Sequence, residues 1–225
     1  LNGCSGEACG DTYIDNNTNG IFDEGDELVV DVNENGIYDE ADDFRLYQGG
    51  GVFSHSSNPN FQDVTISNNT GISGGGMYFQ SSTSSLNNVD VKNNIAHDAG
   101  GIRAVGSKLI ISGSDISSNQ ANDSGENDLG IGKGGGMRIS QISNVAMGNS
   151  RIDNNSATYG GGLFIDNDSN LDLVNVTIFE NSAHFSGFYD HEGGTSIYVE
   201  SADVTMSNVT ITDNFGEGGL NEEEG

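Results

Sequence analysis

Residues 152–165, with the sequence IDNNSATYGGGLFI, contain the unit that this chain repeats. A β-branched residue lies three positions before an Asn, a short polar link follows, and glycines then lead into an apolar-x-apolar segment. The β-branched residue and its Asn recur as Ile66 and Asn69, Val91 and Asn94, Ile116 and Asn119, Ile152 and Asn155, Ile178 and Asn181, and Ile211 and Asn214. Successive Asn positions differ by 25, 25, 36, 26 and 33 residues, which indicates a solenoid.

The glycine element recurs with the same period. Its predicted copies are Gly50-Gly51, Gly75-Gly76, Gly100-Gly101, Gly135-Gly136, Gly161-Gly162, Gly193-Gly194 and Gly218-Gly219. We therefore predict about seven coils, each with three short strands: one after the glycines, one holding an apolar pair such as Leu171 and Leu173, and one ending at the Asn. Coils stacked in parallel at about 4.8 Å would bury the alternating apolar residues. The Asn residues would form one column of hydrogen-bonded amides and would also suit a left-handed bend.

These two elements resemble the repeats of right-handed parallel β-helix proteins, especially the polymorphic outer membrane protein type. That repeat joins a glycine-glycine-apolar element, here Gly161-Gly162-Leu163, to an apolar-x-x-Asn element, here Ile178-Phe179-Glu180-Asn181. The family usually has Phe where this chain has Ile or Val. The resemblance covers residues 49–219 and implies an all-β, right-handed parallel β-helix. Such proteins include adhesins, surface proteins and polysaccharide-degrading enzymes, so the resemblance leaves the activity open.

Composition narrows the function classes. The 225 residues include 34 acidic and 7 basic ones, giving a formal charge of −27. Nucleic-acid binding needs a basic footprint, which this chain lacks. An acidic surface favours solubility and cation binding instead. No apolar run approaches the roughly 20 residues of a membrane-spanning helix. No signal peptide is visible, which fits a mature exported chain, so we expect a secreted or cell-surface protein of bacterial type.

Residues 1–47 do not share the repeat and form a predicted calcium-binding segment, whereas residues 48–225 form the solenoid. Two twelve-residue stretches, 15–26 and 31–42, match each other position for position. Each has oxygen side chains at positions 1, 3, 5, 9 and 12 and Gly at position 6, which is the pattern of a calcium loop. The predicted ligands are Asp15, Asn17, Asn19, Ile21, Asp23 and Asp26 for one ion and Asp31, Asn33, Asn35, Ile37, Asp39 and Asp42 for the other.

The details of these stretches modify the prediction. Position 12 is Asp rather than Glu, as in dockerin-type loops, and position 7 would bind through its carbonyl. Only residues 27–30 separate the two stretches, too few for the paired helices of an EF-hand. They therefore resemble the tandem Asp/Asn/Gly calcium repeats of secreted bacterial proteins, with two calcium ions expected. Cys4 and Cys9 are close in sequence and would form a small disulfide loop in an exported chain.

Two columns of outward side chains are candidate functional surfaces. The first, directly after the glycines, contains Phe53, Tyr78, Arg103, Arg138 and Phe164. It could bind an acidic saccharide, with rings on the sugars and arginines on carboxylates, or it is a solvent-facing ladder or packing surface. The second column places Asp90, Asp115 and Arg151 one coil apart. Its carboxylates fit catalysis or calcium binding, and Arg151 fits a surface salt bridge equally well.

Two insertions lengthen the coils at one corner, at residues 122–133 and 184–192. Insertions on one side of a solenoid often mark the binding face. The second contains His184, Asp190 and His191, which could bind a metal, although an aromatic loop that docks on a neighbouring surface fits the sequence better. The acidic turns at 122–128 and 166–172 are weaker candidates for ion sites.

Two functions from different classes fit this sequence. The first is an extracellular structural or adhesive protein, rigidified by calcium, whose ligand could be an acidic polysaccharide or a cell-surface group. The second is a calcium-dependent polysaccharide lyase or another carbohydrate-active enzyme. Short turns and few Lys residues favour the first. Unpaired strands at the solenoid ends predict head-to-tail self-association into filaments, unless later coils follow in a longer surface protein.

Overall fold

The computed structural model describes residues 48–122, 132–185 and 194–218, together with the backbone of two strands near the start of the chain. The chain divides into two compact units, Leu1–Tyr47 and Gln48–Gly225. In the first unit, β1 (Thr12–Ile14) and β2 (Glu27–Val30) pair antiparallel, with Ile14 opposite Glu27. The predicted calcium ligands and both cysteines lie outside the described residues.

The second unit consists of short strands. The first two rungs contain β3 (Val52–His55), β4 (Asn60–Ser67), β5 (Thr70–Ser73), β6 (Met77–Gln80), β7 (Thr83–Lys92) and β8 (Ile95–Asp98). Rungs three and four contain β9 (Ile102–Val105), β10 (Lys108–Ser112), β11 (Asp115–Ser117), β12 (Gln120–Ala121), β13 (Met137–Ser140), β14 (Asn144–Asp153) and β15 (Ser156–Ala157). Rungs five and six contain β16 (Leu163–Asp166), β17 (Asn170–Phe179), β18 (Ser182–Phe185), β19 (Ile197–Glu200), β20 (Asp203–Ser207), β21 (Thr210–Thr212) and β22 (Phe215–Gly218).

These strands form three parallel sheets that run the length of the stack. The first sheet has the order β3-β6-β9-β13-β16-β19, and the third has the order β5-β8-β12-β15-β18-β22. The second sheet contains the remaining strands, β4, β7, β10, β11, β14, β17, β20 and β21. Every pairing joins a strand to its equivalent one rung away, so the described part of the chain contains six stacked rungs of a right-handed parallel β-helix. The predicted fold class is confirmed.

The distribution of strands within a rung differs from the prediction. The apolar pair and the segment ending at the Asn belong to one sheet and form a single strand in β7, β14 and β17. A left-handed residue such as Asn88 or Asn149 bends these strands without interrupting their ladder. The third strand of each rung lies instead in the link after the Asn. There the second residue is always Ala or Gly, and small side chains such as Ala96 and Ala121 are buried where the third sheet faces the interior.

The predicted asparagine column is present in every rung. The Nδ2 group of each Asn donates to the Oδ1 atom of the next at 2.9–3.1 Å, in the order Asn69, Asn94, Asn119, Asn155, Asn181 and Asn214. The same Oδ1 atom also accepts the backbone N–H of the preceding Asn, as Asn119 does from Asn94 at 3.0 Å. The second amide proton reaches a backbone carbonyl, as from Asn119 to Val91 at 2.8 Å. Each buried amide in the middle of the column is therefore satisfied.

The expectation that these asparagines also adopt the left-handed conformation is wrong. The residue immediately before each of them has the positive φ, from 53° to 58°. These residues are Asn68, Asn93, Ser118, Asn154, Glu180 and Asp213. The bend thus falls on an exposed position, and the buried Asn is free to use its side chain in the column.

The glycine pairs are required by space rather than by dihedral angle. A Cβ atom on Gly135 would lie 2.4 Å from the carbonyl oxygen of Gly161, and one on Gly136 would lie 2.6 Å from that of Gly162 and 3.0 Å from Asn155 Nδ2. Glycine therefore allows the backbones of successive rungs to pass each other beside the asparagine column.

The predicted position of the sixth glycine pair, Gly193-Gly194, is wrong. The backbone N–H groups of Gly161 and Gly162 donate to Thr195 and Ser196, so those two residues occupy the pair's position in the sixth rung. Gly194 instead aligns with Gly160, two positions away from the predicted register. Because the clash at a glycine pair comes from the following rung, side chains are tolerated in the last rung described. Gly218 lies at the end of β22 and not at a corner.

The interior is filled by the side chains that alternate inward. The predicted residues Met77, Phe79, Ile102, Ala104, Met137, Ile139, Leu163 and Ile165 are all fully buried in one apolar cluster. A second polar column accompanies this core at another corner. The hydroxyl groups of Ser107, Ser143 and Ser169 each accept the backbone N–H of the equivalent Ser one rung before. The Ser spacing of 36 and 26 residues equals that of the Asn column and was not recognised in the sequence.

Replacing Asn119 by Ala tests the asparagine column. The substitution removes two accepted and two donated hydrogen bonds at a buried position and leaves the backbone N–H of Asn94 without a partner. We expect the free energy of unfolding to fall by roughly 2–5 kcal/mol. Urea denaturation followed by circular dichroism measures it. The matched control is Asn144→Ala at an exposed strand position, where about 0.5 kcal/mol or less is expected. Equal losses in both variants would contradict the role of the column.

Candidate functional site

The first outward column predicted from the sequence exists in the structure. Strand pairing in the first sheet places Phe53, Tyr78, Arg103, Arg138 and Phe164 in consecutive rungs. Tyr198 continues the column in the sixth rung and was not included in the prediction. The other members of the column lie two residues after the second glycine of a pair. Counting from the wrongly placed Gly194 gives Ser196, whereas counting from Ser196, which holds that position in the structure, gives Tyr198.

Most of this column is buried, although its side chains point away from the interior of the solenoid. Phe53, at one end, is 49% exposed, but Tyr78 and Arg103 are each only 7% exposed and Phe164 is 1% exposed. The side chain of Arg138 is 18% exposed. The column is therefore not the open, solvent-facing ladder that the sequence analysis considered.

Both arginines form ion pairs with carboxylates from neighbouring corners. Arg103 Nε lies 3.1 Å from Asp98 Oδ2, and Arg138 Nη1 lies 2.9 Å from Asp98 Oδ1. Arg138 Nη2 donates to Asp166 Oδ2 at 2.7 Å. The side chain of Asp166 is only 6% exposed. Asp98 thus bridges the two arginines, and the four residues form a partly buried network that we call the arginine tetrad.

Burial and charge act in opposite directions on the two arginines. Burial lowers the pKa of Arg103, and the Asp98 carboxylate only partly offsets this. For Arg138 burial also lowers the pKa, but Asp98 and Asp166 together outweigh it, and the net shift is upward. The two carboxylates therefore hold Arg138 more firmly in its charged form than Arg103.

Aromatic rings close the column on either side of the tetrad. The Phe53 and Tyr78 ring centroids are 5.5 Å apart, and the Phe164 and Tyr198 rings stack at 4.8 Å with an interplanar angle of 4°. Lys133 Nζ lies 4.7 Å from the centroid of the Phe164 ring. Arg138 Cζ lies 5.4 Å from the same centroid. Both faces of the Phe164 ring are occupied, so this ring has no free face on which a sugar could stack.

One of the two partners of the arginines, Asp98, belongs to a column that was not predicted from the sequence. Asp98 and Lys133 each lie two residues before a glycine pair, as do Gln48, Ser73 and Tyr159. A constant offset from the glycines would have placed Asp98 and Lys133 in one column, although it would not have paired Asp98 with the arginines. Asp166 was considered only as part of a weak ion-binding turn; the structure pairs it with Arg138 instead.

The second outward column is also present, and Arg151 is its centre. Pairing places Asp90 beside Asp115 and Asp115 beside Arg151. Arg151 Nη2 lies 2.6 Å from Asp115 Oδ2, and Arg151 Nε lies 3.4 Å from Asp153 Oδ1. Of the alternatives left open by the sequence, the salt bridge is the one observed. Burial raises the pKa of Asp153; a hydrogen bond from Asn154 lowers it, and the nearby Asp115 carboxylate raises it further.

The other candidate ion sites find no support within the described ranges. There, no three His, Cys, Asp or Glu side chains are grouped so that they could hold a metal ion. His184 lies on β18, whereas Asp190 and His191 lie outside the described residues, as does most of the acidic turn at 122–128. The same described residues contain no helix with the length and apolar character needed to cross a membrane.

Residues 52–224 match the family described as the right handed beta helix region. The match covers all six rungs described above. Searches of curated proteins and of solved structures give no significant match.

Replacing Arg138 by Met tests the arginine tetrad. The substitution keeps the aliphatic stem but leaves the buried Asp166 carboxylate without its cation. We expect the free energy of unfolding to fall by about 3–5 kcal/mol, because an uncompensated buried charge is costly. Chemical denaturation at neutral pH measures it. The control is Arg151→Met, because the Arg151 side chain is 54% exposed and its loss should cost about 1 kcal/mol or less. Similar losses in both variants would show that the tetrad is not a stabilising element.

Proposed function

Because the chain belongs to the right-handed β-helix family, we propose that it is an extracellular or cell-surface scaffold with a structural or adhesive role, stabilised by calcium. The observation that carries this proposal is that most side chains of the first outward column are buried and already have partners within the protein. The guanidinium groups of its two arginines form ion pairs with Asp98 and Asp166. The rings of Phe164 and Tyr198 stack on each other. An enzyme of this fold would need such groups free to contact a substrate, whereas a scaffold uses them for stability.

The continuous ladders support the same role. The asparagine column runs through all six rungs. The serine column and the apolar core accompany it. Each rung is held to its neighbours by backbone pairing and by buried side-chain bonds in register, which favours a stiff rod. A stiff, strongly acidic rod is suited to projecting from a surface or to separating two binding partners.

The calcium part of this proposal rests on the first unit, which contains both predicted calcium stretches. Strands β1 and β2 bring Ile14 opposite Glu27. These two described residues flank the first predicted calcium stretch, and a loop that surrounds one ion requires flanking residues that are close together. The second stretch begins directly after β2. Calcium would neutralise part of the −27 charge of the chain.

Head-to-tail association is a further part of the proposal. The last described rung leaves inward-facing apolar side chains exposed, with Val199 at 45%, Met206 at 45% and Ile211 at 48%. An additional rung placed on this end would bury them and pair the edge strands. Such a rung could come from a second copy of the chain, which would build filaments, or from further coils of a longer protein.

A second candidate function is a carbohydrate-active enzyme, a lyase or hydrolase, which the Asp115 and Asp153 pair favours. In general acid–base catalysis, two adjacent carboxyl groups in different environments commonly serve as the acid and the base. Asp153 is 6% exposed and has a raised pKa, while Asp115 is ion-paired with Arg151. Incubation with uronate polymers, with and without calcium, tests this candidate. Release of unsaturated or reducing ends that is abolished by Asp115→Asn would establish the enzyme and overturn the scaffold proposal.

Chelation tests the calcium contribution. Removing calcium leaves the oxygen side chains of the two stretches to repel each other, so the first unit should loosen while the solenoid persists. We expect a protease to cleave within residues 11–45 only after chelator is added, with the fragment that begins near residue 48 staying intact. Mass spectrometry of the digest locates the cuts. Restoration by calcium but not by an equal ionic strength of sodium is the control, and cleavage that ignores the chelator would contradict the proposal.

The raised pKa of Asp153 predicts a pH dependence of stability. A carboxyl whose folded pKa exceeds the ordinary value of 3.8 binds more protons in the folded state than in the unfolded state. Its contribution to stability is therefore present at low pH and is lost as the pH rises from about 3.8 through the raised pKa. We expect the stability of Asp153→Asn, relative to the unaltered protein, to increase across that window. Asp90→Asn, at a half-exposed position, is the control, and parallel pH profiles for all three proteins would contradict this prediction.

A further inference from the structure

The large apolar side chains that are exposed in the middle rungs gather on one side of the solenoid. Among the described residues, the exposed ones of the first and sixth rungs are Phe53, Val199, Met206, Ile211 and Phe215. The exposed ones of the middle rungs are Ile95, Ile110, Ile142 and Val174. Ile110 and Val174 lie on the second sheet, and Ile142 lies at the corner that leads into it. A rung added to either end of the stack would not cover these three side chains.

The outward residues of the second sheet before its left-handed bend form one surface, which we call the lateral face. It consists of the outward positions in segments 60–62, 83–87, 108–112, 144–148, 170–174 and 203–207. Apart from Lys108, Asp172 and Asp203, these positions hold Ser, Thr, Asn, Gln, Ala, Gly, Ile or Val. Such short side chains keep the surface close to the plane of the strands. One sheet can pack on another at about 10 Å through a surface of this kind.

The lateral face contains two apolar projections with a shallow groove between them. Ile110 of the third rung pairs with Ala146 of the fourth, and Val174 of the fifth rung pairs with Gly148 of the fourth. Ile110 is 52% exposed and Val174 is 48% exposed. Among the described residues, a Cβ atom built on Gly148 would meet only the carbonyl oxygen of Val174, at 3.6 Å. The space above Ala146 and Gly148 is therefore open, with a larger apolar side chain on either side of it.

Backbone strain is found at the edge of the lateral face. Ile142 has a φ of 61° and is 75% exposed. A β-branched residue in the left-handed conformation is a rare outlier, and such strain is concentrated at sites of function. The preceding rung turns the same corner with Gly106 alone. The fold thus keeps Ile142 in a strained position without any gain in core packing, as it would a residue that contacts another molecule.

The lateral face is also almost neutral in a strongly acidic chain. Lys108, Asp172 and Asp203 give its outward positions a formal charge of −1, from one cation and two anions, whereas the whole chain carries −27. Two copies of the chain repel each other across surfaces that hold many carboxylates. They approach each other at least cost through a face where this repulsion is nearly absent.

We propose that the lateral face binds the lateral face of a second copy of the chain, as the contact of a two-fold dimer. A two-fold axis parallel to the strands, between the third and fourth rungs, sets Ile110 of each copy on Ala146 of the other, because these two residues are paired neighbours. The projection then fills the groove, and Ile142 lies at the rim of the contact. The same operation places Asp172 opposite Ser85, so this carboxylate faces a hydroxyl group rather than another carboxylate.

The size of the lateral face determines the strength of this contact. Segments of five residues that rise about 3.3 Å per residue, across six rungs about 4.8 Å apart, cover roughly 500 Å² on each copy. A total of about 1,000 Å² is typical of a weak, reversible interface. Because the same patch serves both copies, the association closes at two. It therefore differs from head-to-tail stacking, and it goes beyond the proposed scaffold role without depending on it.

Sedimentation equilibrium of the whole chain, with calcium present and at concentrations from about 10 µM to 1 mM, tests the contact. We expect an equilibrium in which the first associated species is a dimer. Sodium chloride should strengthen the dimer, because salt screens the repulsion between two chains of charge −27. A chain that stays monomeric throughout this range would overturn the proposal and would assign the lateral face to a different partner.

Substitutions on the lateral face identify the surface that is used. Ile110→Asp buries a carboxylate in the groove of the second copy, and we expect it to weaken the dimer at least about tenfold. Ala146→Asp, at a half-exposed outward position, should have the same effect from the other side of the contact. The matched control is Ile95→Asp on the third sheet, where the side chain is 42% exposed and the added charge is the same. This control should leave the dimer unchanged.

The comparison of these variants decides between lateral and end-to-end association. Equal dissociation constants for Ile110→Asp and the unaltered chain would overturn the proposal, and so would equal losses in Ile110→Asp and Ile95→Asp. Circular dichroism of each variant shows that it is folded. Calcium-dependent proteolysis of the first unit does not involve the lateral face, so failure here is distinguishable from failure of the scaffold proposal.

Discussion

The hydrogen bond from one asparagine amide to the next is the interaction on which the rest of the solenoid depends. A buried amide carries two donors and an acceptor, and each must find a partner inside the protein. In the middle of the column, the neighbouring Asn and the backbone of the previous rung supply all of them, as Asn119 shows. The column can form only when successive rungs are in register. It therefore sets the register of the adjoining sheets, since an offset of one residue would leave every amide unpaired.

Other features of the rung follow from this column. Gly136 must lack a side chain because a Cβ atom there would lie 3.0 Å from Asn155 Nδ2 and even closer to the next backbone. The left-handed bend falls on the residue before the Asn, where it is exposed. The Ala or Gly two residues after the Asn keeps the third sheet close to the core. Each rung thus has one buried Asn next to small residues, whereas large apolar side chains such as Phe79 and Leu163 fill the core.

The outward face of the first sheet obeys a different constraint, the compensation of charge. Arg103 and Arg138 stand one rung apart with little solvent around them, a position that is tolerable only with Asp98 and Asp166 beside them. That compensation engages the guanidinium groups of both arginines, and it is the observation behind the proposed scaffold role.

The repeat in the sequence determined the parallel β-helix, the six-membered Asn column and the inward residues, because each depends on a periodicity of two within strands and about 25 between rungs. Only the tertiary structure decided how the strands divide among sheets, since a left-handed residue such as Asn88 can either end a strand or bend it. It also decided that Thr195 and Ser196 replace the sixth glycine pair. The ion partners of the arginines, Asp98 and Asp166, come from corners on different rungs. No local pattern brings them together, because their proximity arises from stacking.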